Sequence, residues 1–255
     1  IMHSNGGFDV IIGNPPYVEV NENLPYSLDK LITSKCGNLY GNCIERGFTL
    51  KTKGYFGFII PVAITCSKRM QKVIDFFNKK SSITYFANFD DRPGKLFEMI
   101  QHLRATIFIA KTTPRTNSNE KFFSTKYNRW YSECRASLFN NIVYQDVYNI
   151  VKEYIVPKIS YDVEASIYDK INKSKGRLGL TFANSYTPDS AYYRAAGGGY
   201  FNLIKIKESE TIINGIKEKV KAEKRICIKE EYSNVSIGSI MSSTLFYWLY
   251  IASTD

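Results

Sequence analysis

Two kinds of apolar run alternate along the first 112 residues. Short, nearly continuous runs bounded by glycine or proline are typical of buried strands, and apolar residues spaced three and four apart are typical of amphipathic helices. The pattern predicts strands at 8–12, 55–61, 83–89 and 105–110, with helices beginning near residues 38 and 67. This order predicts an α/β fold in which right-handed crossovers make the first three strands parallel and the fourth returns antiparallel beside the third.

The pattern changes after residue 112. The polar stretch 112–120 predicts a connection out of the sheet. Aromatic and basic residues interleave over 121–142, which is equally typical of a surface that tracks nucleic acid and of an edge strand packed on the sheet. Further elements are predicted in four places: a capped helix at 160–171, a hairpin or bent strand pair at 185–207, a lysine-rich helix at 208–224 and a serine-capped helix at 242–252. The buried stripe of the lysine-rich helix would be Ile212, Ile216 and Val220.

The end of the first predicted strand carries the most informative residues. We expect the strand 8–12 to be buried on both faces, and Gly13 to let the chain turn at its end. The ring of Pro15 disfavours helical geometry at Asn14, and two successive prolines remove two N–H donors. The backbone here therefore offers only carbonyl acceptors beside the Asn14 amide oxygen, which favours binding of an amine. Tyr17 adds a flat ring suited to stacking.

Asn14-Pro15-Pro16-Tyr17 after a strand resembles the catalytic tetrad of methyltransferases that use S-adenosylmethionine, most closely the gamma-class adenine-specific (N6) DNA methyltransferases of restriction-modification systems. The resemblance implies that Asn14 and the Pro15 carbonyl accept the two protons of the adenine N6 amine, and that Tyr17 stacks on a flipped base. It also implies the second half of a Rossmann-like sheet, followed by an α+β recognition region. The corresponding domains are 1–112, the C-terminal half of the catalytic domain; 113–159, a connecting extension; and 160–255, a partial target-recognition region.

Other site residues follow from the same resemblance. The loop 90–104 is long enough to be functional, and Phe97 matches the ring that closes on the other face of the base, although a hydrophobic plug under the loop is the alternative. Asn38 and Tyr40 match the helix that lines the cofactor's adenine pocket, although plain amphipathic packing explains these two residues equally well. Asn14 is a further candidate for binding the cofactor. No metal site is expected.

Two features of the resembled family have no counterpart in the sequence. These are its Phe-x-Gly-x-Gly cofactor loop and the acidic residue after its second strand. The triple glycine 197–199 follows two alanines and is a very weak substitute. We therefore expect the chain to be a fragment that lacks the main S-adenosylmethionine-binding loop and is inactive alone. Its first strand would pair on one side only, leaving an apolar edge that we expect to be covered by self-association or by the chain's own C-terminal residues.

The composition of the chain indicates which partners and which cellular compartment to expect. The net charge is +10, which favours a polyanionic partner such as double-stranded DNA. Five cysteines without CxxC spacing predict neither a disulfide framework nor a zinc site and fit a reducing cytoplasm. The longest apolar run is well short of the about 20 residues that cross a membrane, so no membrane partner is expected.

The leading hypothesis is therefore a site-specific DNA adenine-N6 methyltransferase. A protein-glutamine or ribosomal RNA methyltransferase shares the tetrad, and a DNA-binding remnant with a structural tetrad is the non-enzymatic alternative. No Asp-x-Lys or Glu-x-Lys pair of the kind used by metal-dependent nucleases occurs in the sequence.

Overall fold

The computed structural model of the chain describes residues 7–20, 25–50, 54–98, 100, 102–112, 121–194, 204–219 and 223–255. The chain divides into two compact units, one formed by residues 1–169 with 251–255 and the other by residues 170–250. The predicted connection at 113–120 and the triple glycine lie outside the described residues.

A six-stranded sheet forms the first unit, in the order β1-β2-β4-β3-β5-β6. Its strands are β1 (Val10–Gly13), β2 (Gly54–Pro61), β3 (Ile83–Phe89), β4 (Ala105–Thr112), β5 (Lys121–Ser124) and β6 (Gln145–Asp146). The two longer helices between its first strands are α1 (Leu39–Leu50) and α2 (Gln71–Lys80). The predicted alternation of strands and helices up to residue 112 is therefore confirmed, and the class is mixed α/β.

Aromatic rings hold α1 and α2 on the sheet. Phe56 of β2, Phe108 of β4 and Phe77 of α2 are fully buried, and the ring of Phe108 meets the other two edge to face at 5.1 and 4.8 Å. Gly47 allows α1 to approach closely, because a Cβ at this position would lie 2.3 Å from Cζ of Phe56. The apolar spacing in the sequence thus predicts which helix faces are buried.

The position of β4 differs from the simplest expectation. It is antiparallel to β3, as predicted, but it also pairs antiparallel with β2 over the whole of that strand. The strand therefore lies between β2 and β3, and the three parallel strands are not all neighbours.

The prediction that the first strand is buried on both faces is wrong. β1 pairs with β2 alone among the described residues, and Val10 and Ile12 are 56% and 81% exposed. An apolar sequence shows that a strand can be buried, but it cannot show whether a neighbouring strand and a covering layer are present. The expectation of an exposed apolar edge agrees with this arrangement.

The segment expected to be a connecting extension contributes to the sheet. β5 pairs parallel with β3, and β6 pairs antiparallel with β5. Phe122 is buried, and the ring of Phe123 stacks on Tyr85 at 4.8 Å. Of the two interpretations of the interleaved aromatic residues, the strand on the sheet is therefore observed at this position.

The second unit contains two small antiparallel pairs and a helical end. Its strands are β7 (Ser190–Arg194), β8 (Glu210–Ile213), β9 (Ile216–Lys219) and β10 (Glu223–Cys227), with β7 paired to β10 and β8 to β9. The helix α3 (Asp162–Lys173) precedes these strands, and α4 (Asn234–Met241) and α5 (Thr244–Ser253) follow them. The expected pairing within 185–207 is present at Tyr192 and Lys205, which exchange two backbone hydrogen bonds. The serine cap of the last helix is Ser243, whose hydroxyl accepts from the Phe246 N–H.

The predicted lysine-rich helix at 208–224 is wrong. Asn214 and Gly215 have φ values of 51° and 81°, and Ile213 pairs with Ile216 across them. Positive φ at both central residues of a two-residue loop is the geometry of a type I′ hairpin, for which Asn-Gly is a preferred sequence. The turn overrides the helical spacing of Ile212 and Ile216, and Val220 lies outside the described residues.

No single helix in the described part of the chain has the length and apolar composition of a membrane span. The bent pair formed by α4 and α5 meets that test only when the two are taken together.

Candidate active site

One edge of the sheet gathers the chemistry-bearing residues. β1, β2 and β3 run in the same direction and β4 runs opposite to its neighbours. The carboxyl ends of the first three strands therefore meet the beginning of β4 at this edge. The residues after β1 (14–17), after β2 (62–66) and between β3 and β4 (90–104) all lie there.

The tetrad forms the tip of β1. Gly13 is the last residue of the strand, and a Cβ there would lie 3.0 Å from Cε1 of Phe58 on β2. Asn14 is exposed, whereas Pro15 beside it is buried. The Pro15 carbonyl accepts no hydrogen bond from any described residue. Two acceptor oxygens therefore belong to adjacent residues at the end of β1, one on the exposed Asn14 and one on the buried Pro15.

The Tyr17 hydroxyl links the tetrad to β2. It lies 2.5 Å from Oδ1 of Asn14 and 2.8 Å from the carbonyl oxygen of Ile59. Burial raises the pKa of Tyr17 to about 12, so the hydroxyl keeps its proton at neutral pH. A hydroxyl has one proton to donate, which these two acceptors share. The amide oxygen of Asn14 is thereby oriented while a second lone pair remains available.

Tyr40 places a second ring against Tyr17. The two rings meet edge to face, with centroids 6.4 Å apart and planes at 88°. Tyr40 is 1% exposed and its hydroxyl has no hydrogen-bond partner among the described residues. Burial raises its pKa above the ordinary value. Asn38 is buried as well, but its Oδ1 lies 3.4 Å from the Tyr40 N–H, so this oxygen is directed at the start of α1.

Phe97 lies half-buried in the loop between β3 and β4. Its ring makes no ring contact with Tyr17 in the described part of the chain. The structure thus links Tyr17 to both Asn14 and Tyr40. It shows no such contact for Phe97 among the described residues.

The loop that carries Phe97 is fastened to the segment after β5. The Gly94 N–H donates to the Trp130 carbonyl at 2.8 Å, and a Cβ at Gly94 would lie 2.6 Å from Trp130 Nε1. The two Nη atoms of Arg135 donate to the carbonyls of Lys95 and Leu96, both at 2.9 Å. The segment after β5, which was predicted to be part of a connecting extension, therefore holds the loop that carries Phe97.

Sequence reasoning missed a charged cluster at the same sheet edge. Asp90, the first residue after β3, is buried and accepts from Nε of Arg104 at 3.0 Å and from Nε of Arg129 at 2.6 Å. Burial alone would raise the pKa of Asp90, but hydrogen bonds from Arg129 and Arg104 outweigh it and lower the pKa. The sequence does contain one signal for this cluster: Asp90 comes directly after a predicted strand, and Arg104 comes directly before the next one.

The comparison with protein families places the tetrad in a known context. Residues 1–97 match the model described as Eco57I restriction-modification methylase. This match supports a restriction-modification methyltransferase and covers both the tetrad and Phe97. No curated protein matches the chain.

Solved structures give weaker likenesses. A nuclease-deletion mutant of the Type ISP restriction-modification enzyme LlaGI with a DNA substrate mimic is 17% identical over 74% of this chain and 18% of its own, with a TM-score of 0.45. The DrdV–DNA complex is 18% identical over 54% of this chain and 17% of its own, with a TM-score of 0.44. A class I S-adenosylmethionine-dependent methyltransferase from Listeria monocytogenes, itself of unproven function, is 17% identical over 52% of this chain and 40% of its own, with a TM-score of 0.35. The chain thus spans less than half the length of each of these proteins.

Proposed function

We propose that the protein transfers a methyl group from S-adenosylmethionine to the N6 amine of an adenine flipped out of double-stranded DNA, as the modification activity of a restriction-modification system. One observation carries the proposal: the amide side chain of the exposed Asn14 and the Pro15 carbonyl, which accepts no hydrogen bond from any described residue, follow each other at a strand tip, beside the half-buried Tyr17. This tip lies within the residues that match a restriction-modification methylase.

The chemistry explains why two acceptors are needed. The lone pair of the adenine amine is delocalised into the ring, so the nitrogen is a poor nucleophile. Asn14 Oδ1 and the Pro15 carbonyl would each accept one amine proton and turn the lone pair out of the ring plane. Positioning of this kind lowers the barrier without a strong general base, and Pro16 fixes the backbone that holds the acceptors.

Tyr17 has two parts to its role. Its hydroxyl orients the Asn14 amide, and one face of its ring would stack on the base. Stacking on an aromatic side chain is worth about 1 to 3 kcal/mol per base, which helps to offset the cost of extrusion. The proposal assigns the other face of the base to Phe97.

The residues present fit the cofactor in part. S-adenosylmethionine supplies an electrophilic methyl group when it is bound. Tyr40 offers a buried hydroxyl without a partner among the described residues, which suits a polar group of the cofactor. Asn14 and Asn38 are the other candidates on this side, although the side-chain amide oxygen of Asn38 accepts from the Tyr40 N–H.

DNA is the proposed acceptor on two grounds. The matching family is named for restriction-modification, and the net charge of +10 favours a polyanion. Binding should therefore weaken steeply with added salt.

Methyl transfer to three classes of acceptor tests the proposal. The protein, at the full length that its gene encodes, is incubated with S-adenosylmethionine labelled in its methyl group and with plasmid DNA, ribosomal RNA or a protein extract. We expect label in DNA only. The Asn14→Ala variant should lose activity by about 10²- to 10³-fold, as for removal of a preorganised polar group, and Asn140→Ala, at another exposed asparagine, should not. Label in RNA or protein alone would overturn the proposal.

A further inference from the structure

Two arginines at the active-site edge are anchored in a way that leaves most of their donors unused. Arg104 and Arg129 each direct Nε toward Asp90. The Nη groups of both arginines make no hydrogen bond to any described residue. Each guanidinium therefore has a pair of Nη groups whose donors have no acceptor within the described part of the chain.

The anchoring carboxylate is buried, whereas the two arginine side chains are partly exposed. The Asp90 side chain is 4% exposed, whereas those of Arg104 and Arg129 are 35% and 46% exposed. The guanidinium carbon of Arg104 lies 5.2 Å from the centre of the Tyr127 ring. Both cations are thus anchored on a buried carboxylate, and both side chains are partly exposed.

Two further acidic groups act on the pair. Asp91 has a carboxylate 4.0 Å from Arg104 Nε and a side chain that is 12% exposed. Asp255 is exposed, and its charge also acts on Arg104. The carboxylates of Asp90 and Asp91 are therefore mostly buried, whereas the side chains of Arg104 and Arg129 are partly exposed to an anion approaching from solvent.

We propose that Arg104 and Arg129 form a clamp for one backbone phosphate of the DNA that carries the target adenine. Arginine forks match the geometry of phosphate oxygens and bind them in pairs. The clamp stands three strand spacings from Asn14 along the sheet edge, which is about 14 Å at about 4.8 Å per strand. At 3.4 Å of helix axis per nucleotide, the phosphate lies within about four nucleotides of the flipped base. This inference rests on the proposed function.

Salt dependence of DNA binding provides the first test. Equilibrium binding of the full-length protein to duplex DNA is measured over a range of salt concentrations, with the Arg104→Gln/Arg129→Gln double variant alongside. Loss of one phosphate contact should reduce the slope of log K against log salt by about 0.9 and weaken binding about tenfold or more at low salt. Arg46→Gln, which changes an exposed arginine on α1, is the control and should leave the slope unchanged.

A modified DNA separates phosphate binding from a structural role. Removing the arginines leaves the buried Asp90 carboxylate with the Asp91 N–H as its remaining donor among the described residues, so the double variant will lose stability, which thermal unfolding measures. A set of duplexes with a single neutral methylphosphonate at successive positions changes the DNA instead of the protein. The wild type should lose about tenfold affinity at one position, and the double variant should be insensitive to modification at that same position.

Each outcome decides a different claim. The clamp is overturned if wild type and double variant are equally sensitive at every methylphosphonate position and the salt slope is unchanged. The proposed function then still stands. Failure of the wild-type protein to bind duplex DNA overturns the proposed function, and the clamp with it.

Discussion

The Tyr17 hydroxyl offers a quantitative test of how the tetrad is oriented. Replacing Tyr17 by phenylalanine removes one proton that is shared between Asn14 Oδ1 and the Ile59 carbonyl, at 2.5 and 2.8 Å. The stacking face of the ring and its edge contact with Tyr40 remain. One net hydrogen bond is worth about 1 kcal/mol, so the rate should fall about fivefold.

The kinetic signature matters more than the size of the loss. Since the hydroxyl orients the acceptor and does not touch the DNA, Tyr17→Phe should lower kcat and leave the KM for DNA unchanged. Tyr17→Ala also removes the stacking surface, worth about 1 to 3 kcal/mol, and should raise KM as well. Tyr131→Phe, at a tyrosine that is 68% exposed, serves as the control.

The assay is steady-state methyl transfer to plasmid DNA by the full-length protein and these variants. The reasoning would be refuted if Tyr17→Phe raised KM with kcat unchanged. It would also be refuted if the phenylalanine variant were as impaired as the alanine variant, because the ring would then contribute nothing beyond its hydroxyl.

Three further predictions concern stability and are checked by unfolding measurements. Lys158 is fully buried, and burial lowers its pKa to about 8. Because its ordinary pKa is about 10.4, the free energy of unfolding falls as pH falls from about 10.4 to 8. Lys158→Met should therefore stabilise the protein by about 3 kcal/mol at pH 7 and by little at pH 11. Gly47→Ala should destabilise by about 1 to 3 kcal/mol through collision with Phe56, whereas Gly179→Ala, with nothing within 4 Å, should not. Asp90→Asn should lower the free energy of unfolding by about 1 to 3 kcal/mol at pH 7. Because the pKa of Asp90 is lowered in the folded protein, the difference in unfolding free energy between variant and wild type should shrink as pH falls below about 4.

Periodicity predicts the elements of the first 112 residues because their apolar runs are strong and are bounded by glycine or proline. The strands of the sheet up to β4 and the helices α1 and α2 follow from it. The insertion of β4 between β2 and β3 does not, because a sequence pattern states which face of a strand is buried but not which strands become its neighbours.

The failure at 208–224 has an identifiable cause. Ile212 and Ile216 are four apart, which suits a helix, but Asn214-Gly215 stands between them and favours a hairpin. The turn preference of this dipeptide outweighs a helical spacing that rests on Ile212, Ile216 and Val220 alone. Dipeptides of this kind should be weighed before periodicity in short polar stretches.

The candidate site was predictable only where its residues are adjacent in sequence. Asn14 to Tyr17 are consecutive, so their meeting at a strand end could be inferred directly. The Asp90 cluster joins residues 39 positions apart, and it forms because β5 and the segment after it lie beside β3. The sequence offered no reason to place Arg129 at this edge.

The identity of the methylated atom tests the central claim most directly. DNA methylated by the full-length protein is digested to nucleosides and analysed by mass spectrometry. If the amide oxygen of Asn14 and the carbonyl of Pro15 accept the protons of an extruded adenine amine, N6-methyladenine is the product and no ring atom is modified. A methyl group on a ring carbon or ring nitrogen, or on the amine of cytosine, would contradict the account.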